Sequence, residues 1–128
     1  MKYLLDTNII IDHLRGKKSI AETIIKEGGA MSVITLGELV YGSYRSNNKA
    51  KAHKVISAII EEFAMSVLPV QENTVIEFAK IKAGLERSGR RLEDFDILIA
   101  STAIEHDLTL ITRNSKHFKR IPRLSIAS

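Results

Sequence analysis

Short apolar runs recur along the chain and predict the strands of a parallel sheet. The first, Tyr3 to Leu5, has no polar alternation, which is typical of a strand buried on both faces, and it ends at Asp6. Four further strands are predicted from later runs: Ala30 to Ile34, Met65 to Leu68, Thr109 to Ile111 and Leu124 to Ile126.

Stretches with helical periodicity separate these strands. We predict five helices: Ile9 to Leu14, one capped by Ser19 and stopped by Gly28-Gly29, Thr35 to Ser46, Lys49 to Phe63, and Asn73 to Ser88. Ile97 to Ile104 fits a strand or a buried helix by periodicity alone, but its length and alanines favour a helix. Alternating strands and helices predict one α/β domain over residues 1–128, with a parallel sheet of four to five strands and helices on both faces.

Polar side chains stand at corresponding places in this arrangement. Asp6 ends the first strand, and Glu38 lies in the first turn of the helix after the second strand. Asp96 opens a later helix, and residues 112–114 (Thr-Arg-Asn) follow the fourth strand. Because the carboxyl ends of parallel strands lie at one edge of the sheet, we expect these groups to converge.

Each of these residues also has a purely structural interpretation. Glu38 follows Thr35 at the spacing of a capping box. Asp96 or Asp94 can cap a helix, with Asp94 the better candidate, and Asn114 can be a turn residue. Helix caps explain each acid singly, but they do not predict that all of them lie at one edge.

Three carboxylates in one pocket repel one another unless a cation or a shared proton relieves the repulsion. The side chains expected at this edge, which are Asp, Glu and Asn, offer only oxygen ligands. The chain has no cysteine, and its four histidines are scattered without the spacing of metal ligands. Such a set suits Mg²⁺ or Mn²⁺. These ions generate a nucleophile from water and offset charge on a phosphodiester, which predicts phosphodiester chemistry.

The bulk properties narrow the class of protein. With 128 residues and 45% hydrophobic content, the chain can form one domain with a substantial core. A formal charge of +4 is compatible with a polyanionic partner. The candidates for binding RNA phosphates are Arg90, Arg91, Arg113 and Lys116.

The sequence also indicates where the protein works. The absence of cysteine excludes disulfides and agrees with a cytoplasmic location. No apolar stretch is long enough to span a membrane, and Asp6 interrupts the first apolar run before it can serve as a signal peptide. We interpret Asp12, deeper in the first helix, as a solvated surface charge.

Four segments resemble, in order and spacing, the motifs of a PIN-domain ribonuclease, and more narrowly of a VapC-type toxin from a toxin–antitoxin pair. They are Leu4 to Asn8, Ser32 to Gly42 around Glu38, Asp96 to Ala100, and Leu110 to Asn114 before Phe118. The resemblance implies a Mg²⁺- or Mn²⁺-dependent endoribonuclease in which Asp6, Glu38 and Asp96 are the catalytic, metal-binding acids. It also implies Asn8, Thr112 and Asn114 as polar support, and from their positions beside Asp6 and Asp96 we add Thr7 and Asp94 as further supporting candidates.

The same resemblance implies an RNA substrate, a homodimer, and inhibition by a VapB-like antitoxin whose tail covers the active site. The chain departs from the family pattern at one position. Many PIN domains have a fourth acid where this chain has Asn114, which can coordinate an ion but brings no charge. We therefore expect one firmly bound ion.

Other α/β classes with acids at a sheet edge fit less well. A phosphoacceptor receiver needs an Asp at the end of the third strand, where this chain has Leu68-Pro69. A haloacid-dehalogenase-like phosphatase needs a second Asp at the position of Asn8. The alternative that stays open is a PIN-like RNA-processing nuclease or RNA-binding module outside a toxin–antitoxin system.

Overall fold

A computed structural model describes residues 1–128 and contains one five-stranded sheet. Its strands are β1 (Tyr3–Leu5), β2 (Gly29–Ser32), β3 (Ser66–Leu68), β4 (Thr109–Ile111) and β5 (Ile126–Ala127). They lie in the order β3-β2-β1-β4-β5, and all neighbouring strands are parallel. The predicted parallel sheet is confirmed, although the fifth strand begins two residues later than expected.

Seven helices cover the two faces of this sheet. They are α1 (Thr7–Leu14), α2 (Glu22–Glu27), α3 (Val33–Tyr44), α4 (Lys49–Glu62), α5 (Glu72–Arg87), α6 (Asp94–Glu105) and α7 (Ser115–Phe118). Helices α1 to α4 pack on one face, and α5 to α7 pack on the other. The ambiguous segment after Asp96 is helical, as predicted. No helix combines the length and the apolar character needed to cross a bilayer.

The central strand β1 contributes to both halves of the core. Leu4 packs with α5 and α6, and Leu5 packs with α1, α3 and α4. Neighbouring residues of a strand point to opposite faces, so a strand covered on both sides needs consecutive apolar residues. Both leucines are fully buried. Each contributes about 1.5–3 kcal/mol through burial of its side chain.

The strand order reverses at β1, and this reversal positions the candidate site. From β1 the chain adds β2 and β3 on one side and then returns to place β4 on the other. Leu5 is paired with Ile111, and the Asp6 N–H donates to the Ile111 carbonyl at 2.9 Å. Open α/β sheets bind ligands outside the carboxyl ends of their strands at such a reversal. Asp6 therefore stands where a ligand is expected.

Helix α3 begins two residues earlier than predicted. Ser32 is its N-cap, with Oγ accepting from the Ile34 N–H at 3.0 Å. The capping box predicted from Thr35 and Glu38 is wrong, because Thr35 lies inside the helix with its side chain buried. Glu38 consequently lies in the second turn, and its carboxylate has a different partner.

The segment from α2 to β2 also differs in part from the prediction. The N-cap of α2 is Ala21, which makes no side-chain cap, so the predicted cap at Ser19 is wrong. Gly28 ends the helix at a φ of 95°, a region that favours glycine. A Cβ at Gly29 would lie 2.9 Å from Leu5 Cδ1, so any side chain here would force the buried Leu5 to shift.

Candidate active site

A cavity of about 680 Å³ opens at the carboxyl edge of the sheet. Four parts of the chain that are distant in sequence contribute polar side chains to it: the end of β1 together with α1, helix α3, the first turn of α6 and the segment after β4. Its lining includes Asp6, Thr7, Asn8, Glu38, Asp96 and Asn114. The structure thus brings together the residues expected to converge.

Asp6 is held by hydrogen bonds to both carboxylate oxygens. Oδ1 accepts from the Thr7 N–H at 2.8 Å, which makes Asp6 the N-cap of α1. Oδ2 accepts from Thr112 Oγ1 at 2.7 Å. Burial raises the pKa of Asp6 above its usual value, while the bonds from Thr112 and Thr7 oppose that shift. The carboxylate is fixed in one orientation but is poorly solvated.

Glu38 is oriented by a second threonine contact. Thr7 Oγ1 donates to Glu38 Oε1 at 2.6 Å and also lies 3.1 Å from Thr35 Oγ1. Thr7 therefore uses its N–H for Asp6 and its hydroxyl for Glu38. This one residue links the acid at the end of β1 to the acid on α3.

Asp96 completes the acidic group from the first turn of α6. Burial raises its pKa to about 6, and the negative charges of Asp6 and Glu38 contribute to that shift. His117 acts in the opposite direction. The three acids therefore interact electrostatically, and ionising all of them together is unfavourable.

The donor set of the cavity fits a hard divalent cation. It contains carboxylates from Asp6, Glu38 and Asp96 and amides from Asn8 and Asn114, and neither histidine nor cysteine lines it. In the orientations observed, no three acidic or histidine side chains lie close enough together to enclose an ion. The Asp6 and Glu38 oxygens instead face threonine donors. The chemistry of the ligands thus fits Mg²⁺ or Mn²⁺, whereas these side-chain orientations do not form a closed coordination shell.

The supporting residues divide into two groups. Thr112 is fully buried, and its Oγ1 also accepts from the Asn114 N–H at 3.0 Å, which joins the end of β4 to the cavity. Asp94 does not line the cavity: it is exposed and pairs with Lys82 at 2.9 Å. It is not the N-cap of α6 either, since Glu93 occupies that position. Placing Asp94 in the site or at the cap was therefore wrong.

Among the basic candidates, Arg113 differs from expectation. Its Nε pairs with Asp12 Oδ2 at 3.1 Å, and Asp12 is buried rather than the solvated charge we predicted. Arg90, Arg91 and Lys116 lie outside the acidic cavity, on a neighbouring surface.

Two arginines that line the cavity were not anticipated. Arg45 lies seven residues after Glu38, at the C-cap of α3, and Arg15 lies seven residues after Asn8, at the C-cap of α1. Helical periodicity counted from each polar residue of the site would have indicated both positions.

Comparison with known proteins relates the whole chain to one family. The sequence profile described as PIN domain matches residues 3–124. The ribonuclease VapC1 of Methanocaldococcus jannaschii is 32% identical over 98% of this chain and 85% of its own length. The tRNA(fMet)-specific endonuclease VapC of Shigella flexneri is 32% identical over 94% of this chain and 92% of its own.

A solved structure shows the same likeness. The crystal structure of VapBC2 from Rickettsia felis, bound to a DNA fragment from its promoter, contains a chain that superposes with a TM-score of 0.90 and is 30% identical. The match covers 99% of this chain and 98% of that one. The likeness therefore extends over the complete fold.

Proposed function

The chain belongs to the PIN domain family and is related along nearly its whole length to the VapC ribonucleases; from this premise we propose that it is a divalent-metal-dependent endoribonuclease and the toxin of a toxin–antitoxin pair. The observation that carries the proposal is the convergence of Asp6, Glu38 and Asp96 on one cavity from three separate elements. These acids are the ligands for Mg²⁺ or Mn²⁺ and the catalytic residues.

The ion supplies two effects when it is bound: it acidifies water for attack on the phosphodiester and offsets charge on the phosphoryl oxygens. The protein supplies orientation. Thr112 and the Thr7 N–H hold the Asp6 carboxylate, and the Thr7 hydroxyl holds Glu38. Asn8 and Asn114 add neutral oxygen donors without increasing the repulsion among the acids. We expect one firmly bound ion, because the fourth position is an amide.

The partners follow from the same premise. The similar Rickettsia felis structure is a VapBC complex, which supports a VapB-like antitoxin as the partner of this chain. We propose RNA as the substrate and a homodimer as the assembly. We also propose the cytoplasm as the compartment in which the dimer meets its RNA substrate and its antitoxin. Arg90, Arg91 and Lys116 are the expected phosphate contacts, whereas Arg113 is paired with Asp12.

The test is RNA cleavage by purified protein with Mg²⁺, with EDTA, and with the near-isosteric variant Asp6→Asn. Removing one of the three acidic ligands should lower the cleavage rate by at least about 100-fold, because the ion is held less well and its charge is less completely matched. Asp94→Asn is the matched control, since Asp94 lies outside the cavity, and it should stay within about threefold of the parent. Cleavage that survives EDTA, or a fully active Asp6→Asn variant, would overturn the mechanism.

A further inference from the structure

A continuous group of cations lies beside the acidic cavity. Five of them and Gly89 line a concave surface of about 600 Å³ that contains no acidic and no apolar side chain. A second concave surface of about 620 Å³ shares three of these cations and adds Lys80 and Arg123, of which Arg123 is paired with Glu77. We call the combined group the basic strip; its members are Lys80, Arg90, Arg91, Lys116, Lys119 and Arg120.

The basic strip carries more positive charge than the protein as a whole. It has six cations, whereas the formal net charge of the whole chain is only +4. None of the six forms an ion pair. Three neighbouring cations, Lys82, Arg113 and Arg123, are each paired with a carboxylate. Grouping unpaired like charges is unfavourable, and a polyanionic partner relieves it.

The backbone beneath the strip is held in place. Gly89 directly follows Ser88, the C-cap of α5, and has a φ of 69°; the Arg90 N–H donates to the Leu85 carbonyl at 2.8 Å, as in a Schellman motif. Arg120 Nη1 donates to the Arg91 carbonyl at 2.9 Å and so joins the segment after α7 to the loop before α6. The backbone around Arg90 and Arg91 is therefore held in place before any partner binds, which reduces the entropic cost of binding.

The strip begins at the edge of the candidate active site. Lys116 follows Asn114, a residue of the acidic cavity, by two positions, a separation of at most about 7 Å along the chain. Arg91 precedes the first residue of α6, the helix that carries Asp96, by three positions. A polymer whose backbone crosses the acids can therefore continue onto the strip.

We propose that the basic strip binds the phosphodiester backbone of the RNA substrate away from the bond that is cleaved. This rests on the proposed ribonuclease function and adds a second point of attachment to it. Lysine and arginine side chains are the usual contacts to nucleic-acid phosphates. A protein partner is less well matched, because the centre of a protein interface is mostly apolar and the first concave surface has no apolar side chain.

The experiment reverses three charges of the strip, Arg90→Glu, Lys116→Glu and Lys119→Glu, and leaves Arg120 intact because it supports the backbone. The matched control makes the same change in charge at the exposed residues Lys17, Lys26 and Lys54, which lie outside the strip and the acidic cavity. Binding of a labelled stem–loop RNA is measured against salt in an Asp6→Asn background with EDTA, so that cleavage is suppressed during the measurement. Circular dichroism verifies that both variants fold.

The strip variant should bind the stem–loop at least about tenfold more weakly and show a shallower salt dependence, since each lost phosphate contact reduces the slope by about 0.7–0.9. The control should change binding by less than about threefold. Equal losses in both variants would indicate diffuse attraction and overturn the proposal, as would no loss in either. A polyglutamate peptide serves as a second probe. If the strip variant binds RNA as well as the parent does but no longer binds this peptide, the strip belongs to an acidic protein partner and the proposal is overturned.

Cleavage separates this proposal from the function on which it rests. With Asp6 intact, the loss of kcat/KM on the stem–loop should exceed the loss on a tetranucleotide by at least about tenfold, because the short substrate does not reach the whole strip. If the parent protein cuts neither RNA but the stem–loop still binds through the strip, the ribonuclease proposal fails and the strip assignment stands. Equal losses on both substrates would show that the strip acts on the acids rather than on distant phosphates.

Discussion

Two threonines, rather than the acids alone, define the candidate active site at the scale of single residues. Thr7 and Thr112 each contact Asp6, and Thr7 also contacts Glu38. Each threonine is buried and uses its polar groups on a carboxylate that is itself largely removed from water. Hydrogen bonds to charged groups contribute about 1.5–3 kcal/mol, roughly twice the contribution of neutral ones. These threonines therefore help to offset the cost of placing acids in the cavity.

Thr112→Val tests this role with little change in volume. The variant loses the donor to Asp6 Oδ2 and the acceptor for the Asn114 N–H. Its free energy of unfolding should therefore be about 1–3 kcal/mol lower than that of the parent. Because Asp6 is then less well oriented, the protein should also bind Mn²⁺ more weakly. Thr112→Ser retains the hydroxyl and should recover most of the metal affinity. Equal Mn²⁺ affinity in the valine and serine variants would contradict a positioning role.

The charge of Asp96 should destabilise the metal-free protein. Burial, with the charges of Asp6 and Glu38, raises its pKa to about 6, so the folded state binds this proton more tightly than the unfolded state does. The destabilisation is absent below pH 3.8, grows between pH 3.8 and about 6, and is complete above that range. Asp96→Asn should therefore raise stability at pH 8 in EDTA by about 1 kcal/mol, a value reduced from the full shift because the side chain is only half-buried.

Chemical unfolding of this variant and its parent at pH 8 and pH 4 measures the effect. The difference in the free energy of unfolding should be largest at pH 8 and should nearly vanish at pH 4. A variant less stable than its parent at pH 8 would show that Asp96 makes a net favourable interaction in the metal-free fold.

At the scale of elements, the sequence was most informative where burial alone determined the pattern. Leu4 and Leu5 are consecutive and apolar because β1 is covered on both faces, and this could be recognised without knowing the partners. The start of α3 was missed because Val33 and Ile34 are β-branched residues that favour strands, whereas Ser32 Oγ accepts a hydrogen bond from the Ile34 N–H and caps a helix there. Ser32 is completely buried, so packing with the rest of the fold, and not the local preference for a strand, determines that a helix begins at Val33.

Comparing two helix caps tests whether the start of α3 matters for function. Ser32→Ala removes the acceptor for the Ile34 N–H, and Asn48→Ala removes the acceptor for the Lys51 N–H at the start of α4. Each should lower stability by about 0.5–2 kcal/mol. Only Ser32→Ala should also lower RNA cleavage, because α3 carries Glu38 and α4 contributes nothing to the acidic cavity. An equal loss of cleavage in both variants would mean that stability, not the position of α3, controls activity.

At the scale of the whole molecule, the convergence of the acids was predictable and several of their neighbours were not. A parallel sheet brings its carboxyl ends to one edge, so topology alone places Asp6 near the helices that carry Glu38 and Asp96. The pairing of Asp12 with Arg113 has no local signal, since it joins α1 to the segment after β4. Such contacts depend on how the layers pack, which residue spacing does not reveal.

Because the acids come from β1, α3 and α6, a bound ion should stabilise the complete fold rather than one segment. An ion present at about 100 times its dissociation constant adds about 2.7 kcal/mol, which corresponds to a rise of roughly 10 °C in Tm for a chain of this size. Thermal unfolding with increasing Mn²⁺ measures this rise, and calorimetry gives the stoichiometry. We expect one tight site, with the rise in Tm lost in Asp6→Asn and retained in Asp94→Asn. Two tight sites would contradict the role assigned to Asn114, and an equal rise in both variants would place the ion away from Asp6.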